Sequence, residues 1–153
     1  LELQQELEGI RYRKIGYVKR KGIYGNDLSS YRFWTRQFFR PLRNLIYHDG
    51  KKYLPSAFLE MLTPLAMAVW HMDDGHYEYL KKRCIIATDG FSNGDRKNLK
   101  RFLKEKYDLE IVIRKSGKIA MNQKETEKFL NMIAPYRLDC MAYKFLNPLT
   151  TES

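Results

Sequence analysis

The chain reads as an α+β protein in which short antiparallel hairpins alternate with helices, and three observations point there. Turn residues separate strand-like runs at Gly25-Asn26-Asp27 and at Ser116-Gly117. Capping residues open stretches of helical spacing, Thr63-Pro64 before one and Ser92 before another. The order helix, strand, strand, helix over Leu1 to Pro55 recurs over Ser92 to Pro135, which suggests an internal repeat.

Taken in order, Leu1 to Gly9 has the look of a helix tail closed by glycine, and Arg11 to Gly22 that of a basic strand. Gly25, Asn26 and Asp27, with Ser29 and Ser30, supply a turn before Tyr31 to Arg36, where apolar and basic side chains alternate. These runs make a first hairpin. Phe38 to Tyr47 has helical spacing through Phe39, Leu42, Leu45 and Ile46, and His48-Asp49-Gly50 stops it. Lys51, Lys52 and Pro55 lie in a loop, and a helix starts near Thr63-Pro64. Gly75 to Arg83 with Cys84 to Thr88 forms a second hairpin, and Ser92 to Tyr107 a helix. Glu110 to Lys115 with Lys118 to Asn122 forms a third hairpin, and Glu125 to Ala134 a last helix.

The charge balance narrows the partner. Twenty-eight Lys and Arg against eighteen Asp and Glu leave +10, clustered in the strand-like runs, which suggests a polyanion. Eleven Tyr, eight Phe and two Trp accompany them, most explained as core filling. Cys84 and Cys140 are too few for a disulfide framework and lack metal-ligand spacing, so reduced thiols inside a cell are the default. No apolar run has spanning length, no secretory pattern opens the chain, and a start at Leu1 reads as a fragment or a processed product. Gly-rich phosphate loops, nucleophile elbows and Cys/His clusters are missing.

Leu65 to Gly75 is the most informative stretch: a small-residue-rich apolar helix that runs into Asp73, Asp74 and a glycine. Ala66 and Ala68 allow close backbone approach, and Leu65, Val69 and Met72 share one helical face. One reading is a core helix that ends in acids. The other is an acid placed for chemistry, since the dipole at a helix C-terminus disfavours carboxylates without a cation or metal nearby.

The string Leu62 to Gly75 resembles the second signature helix of the LAGLIDADG homing endonucleases, of the intron-encoded, monomeric two-motif type. Lys52-Tyr53-Leu54-Pro55, Ala87 to Ser92, Ala134-Pro135-Tyr136 and Met141-Ala142-Tyr143-Lys144 resemble further elements of that family. The likeness divides the chain into a partial first repeat, residues 1–55, and a whole second repeat, residues 56–153, with its signature helix at 65–75.

This resemblance implies an antiparallel, DNA-binding saddle with helices behind it, built from αββα repeats. It implies a site-specific endonuclease that hydrolyses double-stranded DNA with Mg²⁺ or Mn²⁺. Asp74 takes the place of the catalytic, metal-binding acid. Asp73 becomes an auxiliary metal ligand, more through its backbone carbonyl than its carboxylate. Lys52 and Lys144 become the basic residues near the active centres. His71 falls at an apolar packing position and His76 in a strand, so neither is expected to bind metal.

The expected DNA readers of the first hairpin are Arg11, Arg13, Lys14, Tyr17, Lys19, Arg20, Lys21, Arg32, Trp34 and Arg36. Those of the other two are Tyr77, Tyr79, Lys81, Lys82, Arg83, Arg114, Lys115 and Lys118. A charged outer face that only keeps the sheet edge soluble is the alternative.

The resemblance also leaves open a maturase that binds intron RNA without cutting DNA. Without the first signature helix, the expected complement is a second such helix, from a homodimer mate or from a missing N-terminal segment, and a lone copy is expected not to make double-strand breaks. No membrane is expected, and the location is intracellular, in an organelle or a bacterial cytoplasm.

Overall fold

The computed structural model describes residues 16–32 and 39–145. The chain forms two compact units, residues 1–44 and 45–153. Arg11, Arg13, Lys14, Trp34, Arg36, the side chain of Arg32 and the expected N-terminal helix lie outside what is described.

In the first unit, β1 (Gly16–Lys21) and β2 (Asp27–Arg32) form an antiparallel ribbon with Lys21 opposite Asp27 and Tyr17 opposite Tyr31. The Tyr17 and Tyr31 rings lie 5.1 Å apart, and Lys19 reaches over Tyr17. The turn is tighter than its composition suggests. Gly22 closes on Asn26 at 2.7 Å, Gly25 takes φ +76°, and Asp27 to Ser30 join the strand. Helix α1 (Arg40–Ile46) follows, with no buried residue; its last two residues, Leu45 and Ile46, belong to the second unit.

In the second unit, β3 (Tyr47–His48) pairs with β4 (Lys51–Lys52) across Asp49 and Gly50, at φ +48° and +73°. Two successive positive φ values make the tight hairpin turn whose twist suits paired strands. The expected loop at Lys51 and Lys52 is therefore a small ribbon. A single turn, α2 (Ser56–Leu59), leads into α3 (Pro64–Asp74). Strands β5 (Gly75–Glu78), β6 (Arg83–Ile86), β7 (Val112–Ile113) and β8 (Ile119–Ala120) form one antiparallel sheet in the order β5-β6-β8-β7. The first arm of the second hairpin ends at Glu78, because Tyr79–Lys81 winds into a 3₁₀ turn closed by Lys82 in the left-handed region.

Helices α4 (Asn93–Tyr107) and α5 (Gln123–Ile133) pack with α3 over one face of this sheet. Ser92 caps α4 in a reciprocal box with Asp95, and Asn122 caps α5 by accepting the N–H of Glu125. The core joins Met67, Ala68 and Met72 of α3 to Leu99 and Leu103 of α4, Phe129 and Ile133 of α5, and Cys84, Ile86 and Ile119 of the sheet. Each fully buried Leu, Ile, Met or Phe side chain among these stabilises by about 1.5–3 kcal/mol.

Side chains alternate across a strand. Tyr77, Cys84, Ile86, Ile113 and Ile119 face the helices, so His76, Glu78, Arg83, Val112, Arg114 and Lys118 fall on the opposite, open face. Among the described residues no helix is long and apolar enough to cross a membrane.

Candidate active site

The site is built around the end of α3. Thr63 opens the helix by accepting the Ala66 N–H at 3.2 Å, and Pro64 occupies the first turn, where it needs no partner for an N–H. The buried face consists of Met67, Ala68, His71 and Met72. Leu65 and Val69, assigned with Met72 to one face, are instead 52% and 54% exposed. Eleven residues later the helix releases Asp73 and Asp74, both exposed, and Gly75 begins β5. The Asp74 carbonyl accepts the N–H of Ala87 at 3.2 Å, tying this corner to the end of β6.

Both acids open on a cleft of about 510 Å³. Apolar Phe58, Leu62, Ala66, Val69 and Trp70 line it together with Lys52, Asp73, Asp74 and Asp89. Lys52 enters from β4 with its ammonium 5.9 Å from the rings of Tyr47 and Phe91. The residues just after it are held firmly. Leu54 is buried, and its N–H donates to Asp95 Oδ1 at 3.1 Å, the same carboxylate that completes the α4 cap. Asp89 belongs to the Ala87 to Ser92 element that resembles the family, but no role is read for it from the sequence.

Lys144 lies on a 3₁₀ segment, Asp139–Lys144. Its Nζ donates to the backbone carbonyl of Asp73 at 2.8 Å, placing a cation on an orphan carbonyl at the negative end of the α3 dipole. The Lys144 backbone carbonyl in turn lies 2.9 Å from His71 Nε2. His71 is fully buried between Phe129 and Phe145, whose rings stand edge-on to it at 5.5 and 5.2 Å. Burial pushes its pKa below the ordinary value, although the bond to Lys144 works the other way. The resemblance implies Lys52 and Lys144 near two active centres; in the structure Lys52 lines one cleft with Asp73 and Asp74, and Lys144 meets the backbone of Asp73 at the end of α3.

The divalent cation implied by the resemblance can be weighed against this donor set. No group of three or more His, Cys, Asp or Glu side chains able to hold a metal exists among the described residues. Mg²⁺ does not require one, since it keeps several waters and takes one or two carboxylates plus substrate phosphate oxygens. An exposed Asp74, with no ion-pair partner among the described residues and beside the open carboxylate of Asp73, fits that habit.

The expected nucleic-acid readers divide by face. Arg114, Lys115 and Lys118 are exposed at the β7-β8 end, and Tyr79, Lys81 and Lys82 at the β5-β6 turn. Arg83 stands on the open face, but its Nε is paired with Glu78, which also meets Lys81 at 3.4 Å. The hydrogen bond from Arg83, before the one from Lys81, holds the Glu78 carboxyl below its usual pKa. Tyr77 turns the other way, against the core, and its half-burial raises the pKa of its phenol. His76, set aside from the sequence, is exposed on the open face. On the first ribbon Tyr17, Lys19, Arg20 and Lys21 are exposed, with Lys21 meeting Asp27 at 3.0 Å.

A model of the LAGLIDADG DNA endonuclease family matches residues 4–129. The chain belongs to this family. The fold agrees: the chain superposes on the homing endonuclease I-WcaI bound to its DNA recognition sequence with a TM-score of 0.79 at 25% identity, over 95% of this chain and 69% of that one. Curated proteins similar to the chain include the protein RecA of Mycobacterium gastri, 35% identical over 69% of this chain and 29% of that protein. The cytochrome b mRNA maturase bI2 of Debaryomyces hansenii is 33% identical over 74% of this chain and 45% of its own length. The DNA endonuclease I-ChuI of Chlamydomonas applanata is 30% identical over 61% and 47%. The chain therefore spans less than half of each of these curated proteins.

Proposed function

We propose that this LAGLIDADG protein is a site-specific homing endonuclease that hydrolyses phosphodiester bonds in double-stranded DNA with Mg²⁺ or Mn²⁺. The observation that carries the reading is the convergence of Lys52, Asp73 and Asp74 on one cleft, with Lys144 bound to the last turn of α3. A pure binding surface gains nothing from two exposed carboxylates near a polyanion, since they repel phosphate.

In this reading Asp74 is the principal ligand, and Asp73 adds its carboxylate or shares its carbonyl, which has a second lone pair beside the one Lys144 uses. The cation, when bound, supplies Lewis acidity to the phosphate and acidifies water. The chain's own residues do the rest. Lys52, fixed behind by Leu54 and Asp95, presents positive charge to the phosphate from one side of the cleft. Lys144 presents it from the end of α3. Both oppose negative charge as it develops on the phosphate oxygens.

The open sheet face with Arg114, Lys115, Lys118, Lys81, Lys82 and His76, and the ribbon with Tyr17, Lys19, Arg20 and Lys21, would lie along DNA. Phosphate contacts there give salt-dependent affinity and base-edge contacts give sequence choice. The exposed Leu65 and Val69 would meet a second signature helix, supplied by a homodimer mate or by another segment. Residues 1–55 and 56–153 would then be parts of two successive repeats.

Incubation with a supercoiled plasmid library carrying randomised inserts, in Mg²⁺ and in EDTA, tests the reading. Cleavage confined to Mg²⁺ and to one family of inserts is expected, as double-strand breaks where two signature helices pair and as no more than nicks from a lone copy, and binding by the paired form without any Mg²⁺-dependent scission would overturn it. The maturase relative gives a second reading, in which the same basic surfaces hold intron RNA and Asp74 is dispensable.

A further inference from the structure

We propose that His71 is a positioning residue: its Nε2–H holds the Lys144 backbone and thereby sets where the Lys144 ammonium meets the end of α3. The proposal deepens the endonuclease reading and rests on it for its catalytic consequence. A carbonyl only accepts, so Nε2 carries the hydrogen and Nδ1 is the bare nitrogen. Nδ1 is buried without a hydrogen-bond partner among the described residues. A histidine that leaves half its polarity unpaired in a core is costly, and a phenylalanine would fill the slot between Phe129 and Phe145 without that cost. What histidine adds is the one hydrogen bond to Lys144.

The two bonds work as a clasp. His71 and Asp73 are two residues apart on α3, and Lys144 meets one through its backbone carbonyl and the other through its side chain. With both ends fixed to the same helix turn, the flexible lysine stem has few places to put its ammonium. Gly75 makes the arrangement possible. A Cβ there would lie 2.2 Å from His71 Nδ1 and 2.3 Å from the His71 backbone carbonyl, so any larger residue would have to displace both the ring and the last turn of α3. The glycine after the acids is thus required for space, at an ordinary negative φ of −83°.

The test compares wild-type protein with His71→Phe, which keeps the aromatic filling and loses the donor, and His71→Gln, which returns an amide N–H near the Nε2 position. Amine acetylation followed by mass spectrometry reads the placement of Lys144, with Lys82 as the exposed internal standard. Loss of one hydrogen bond's worth of restraint should let Lys144 react about fivefold faster relative to Lys82 in His71→Phe. His71→Gln should hold the wild-type ratio to within about twofold. Single-turnover cleavage of the plasmid library should fall about tenfold in His71→Phe with DNA affinity unchanged, and recover in His71→Gln.

An unchanged Lys144 ratio in His71→Phe, or an equal rise in both variants, would overturn the proposal. Should His71→Phe fail to fold, His71→Leu takes its place with the same expectations. If the ratio responds as stated but wild-type protein cuts no plasmid, the clasp stands and the endonuclease reading falls. If wild-type protein cuts and the ratio does not respond, the reading stands and the clasp falls.

Discussion

Asp95 accepts the backbone N–H of Leu54 at 3.1 Å through the carboxylate that also takes the N–H and hydroxyl of Ser92. One side chain therefore caps α4 and fixes the strand end that carries Lys52 to the cleft. Asp95→Ala removes all of these bonds and leaves a buried N–H on Leu54 unpaired. It should cost about 2–3 kcal/mol in denaturant unfolding. Beyond this loss, it should slow cleavage at temperatures where the variant remains folded, because Lys52 is released from its place. Full activity in a folded Asp95→Ala protein would break the link between cap and cleft.

Leu65 and Val69 stand more than half exposed on a helix whose other face is core. Val69→Glu should leave unfolding free energy within about 0.5 kcal/mol, as for an ordinary surface change. Sedimentation should show that the wild-type chain self-associates, or binds a second signature helix in trans, and that the variant does neither. Equal masses for both proteins at every concentration would remove α3 as the contact.

Lys82 sits at φ +46°, where residues with a Cβ are strained. Lys82→Gly should raise stability by about 1 kcal/mol. If Lys82 touches phosphate, the same change weakens DNA binding across all sequences and lowers the salt slope by about one. Stability and affinity would move in opposite directions, measurable by thermal unfolding and by titration at several salt concentrations. A more stable variant with unaltered affinity and slope would exclude Lys82 from the DNA contact.

Asp108 caps the C-terminal end of α4 and meets Lys104 and Lys128, each at 2.7 Å. Their hydrogen bonds, Lys104 first, hold its pKa down to about 2. A carboxyl with a lowered folded pKa contributes stability that is present above its ordinary value of 3.8 and is lost as the pH falls towards 2. Acid unfolding of Asp108→Asn should therefore depend less on pH in that window than wild-type unfolding. Parallel acid profiles would contradict the assignment.

Several parts of this site were legible in the sequence because they are local. Thr63-Pro64 marks the start of α3, Asp73-Asp74-Gly75 marks its end, and Ser92 marks α4. Other parts depend on partners far along the chain. Asp49-Gly50 reads as a helix stop, and only the pairing of Tyr47–His48 with Lys51–Lys52 shows it to be a hairpin turn. The split of α3 into a buried Met67-Ala68-His71-Met72 face and an exposed Leu65-Val69 face needs the positions of α5 and the sheet, since every one of these residues but His71 is apolar. Tyr77, expected among the DNA readers, faces the core and His76 the open side, because strand parity cannot be fixed without a register. The bond between His71 and Lys144 spans 73 residues and ends on a 3₁₀ segment too short for any periodic signal.

The claim that Asp74 holds the catalytic cation is tested most directly by measuring DNA affinity and Mg²⁺-dependent cleavage together in wild-type protein and Asp74→Ala. The account predicts at least about a hundredfold loss of cleavage with affinity kept or improved, since a negative charge beside phosphate is removed. Cleavage by Asp74→Ala at the wild-type rate would contradict it.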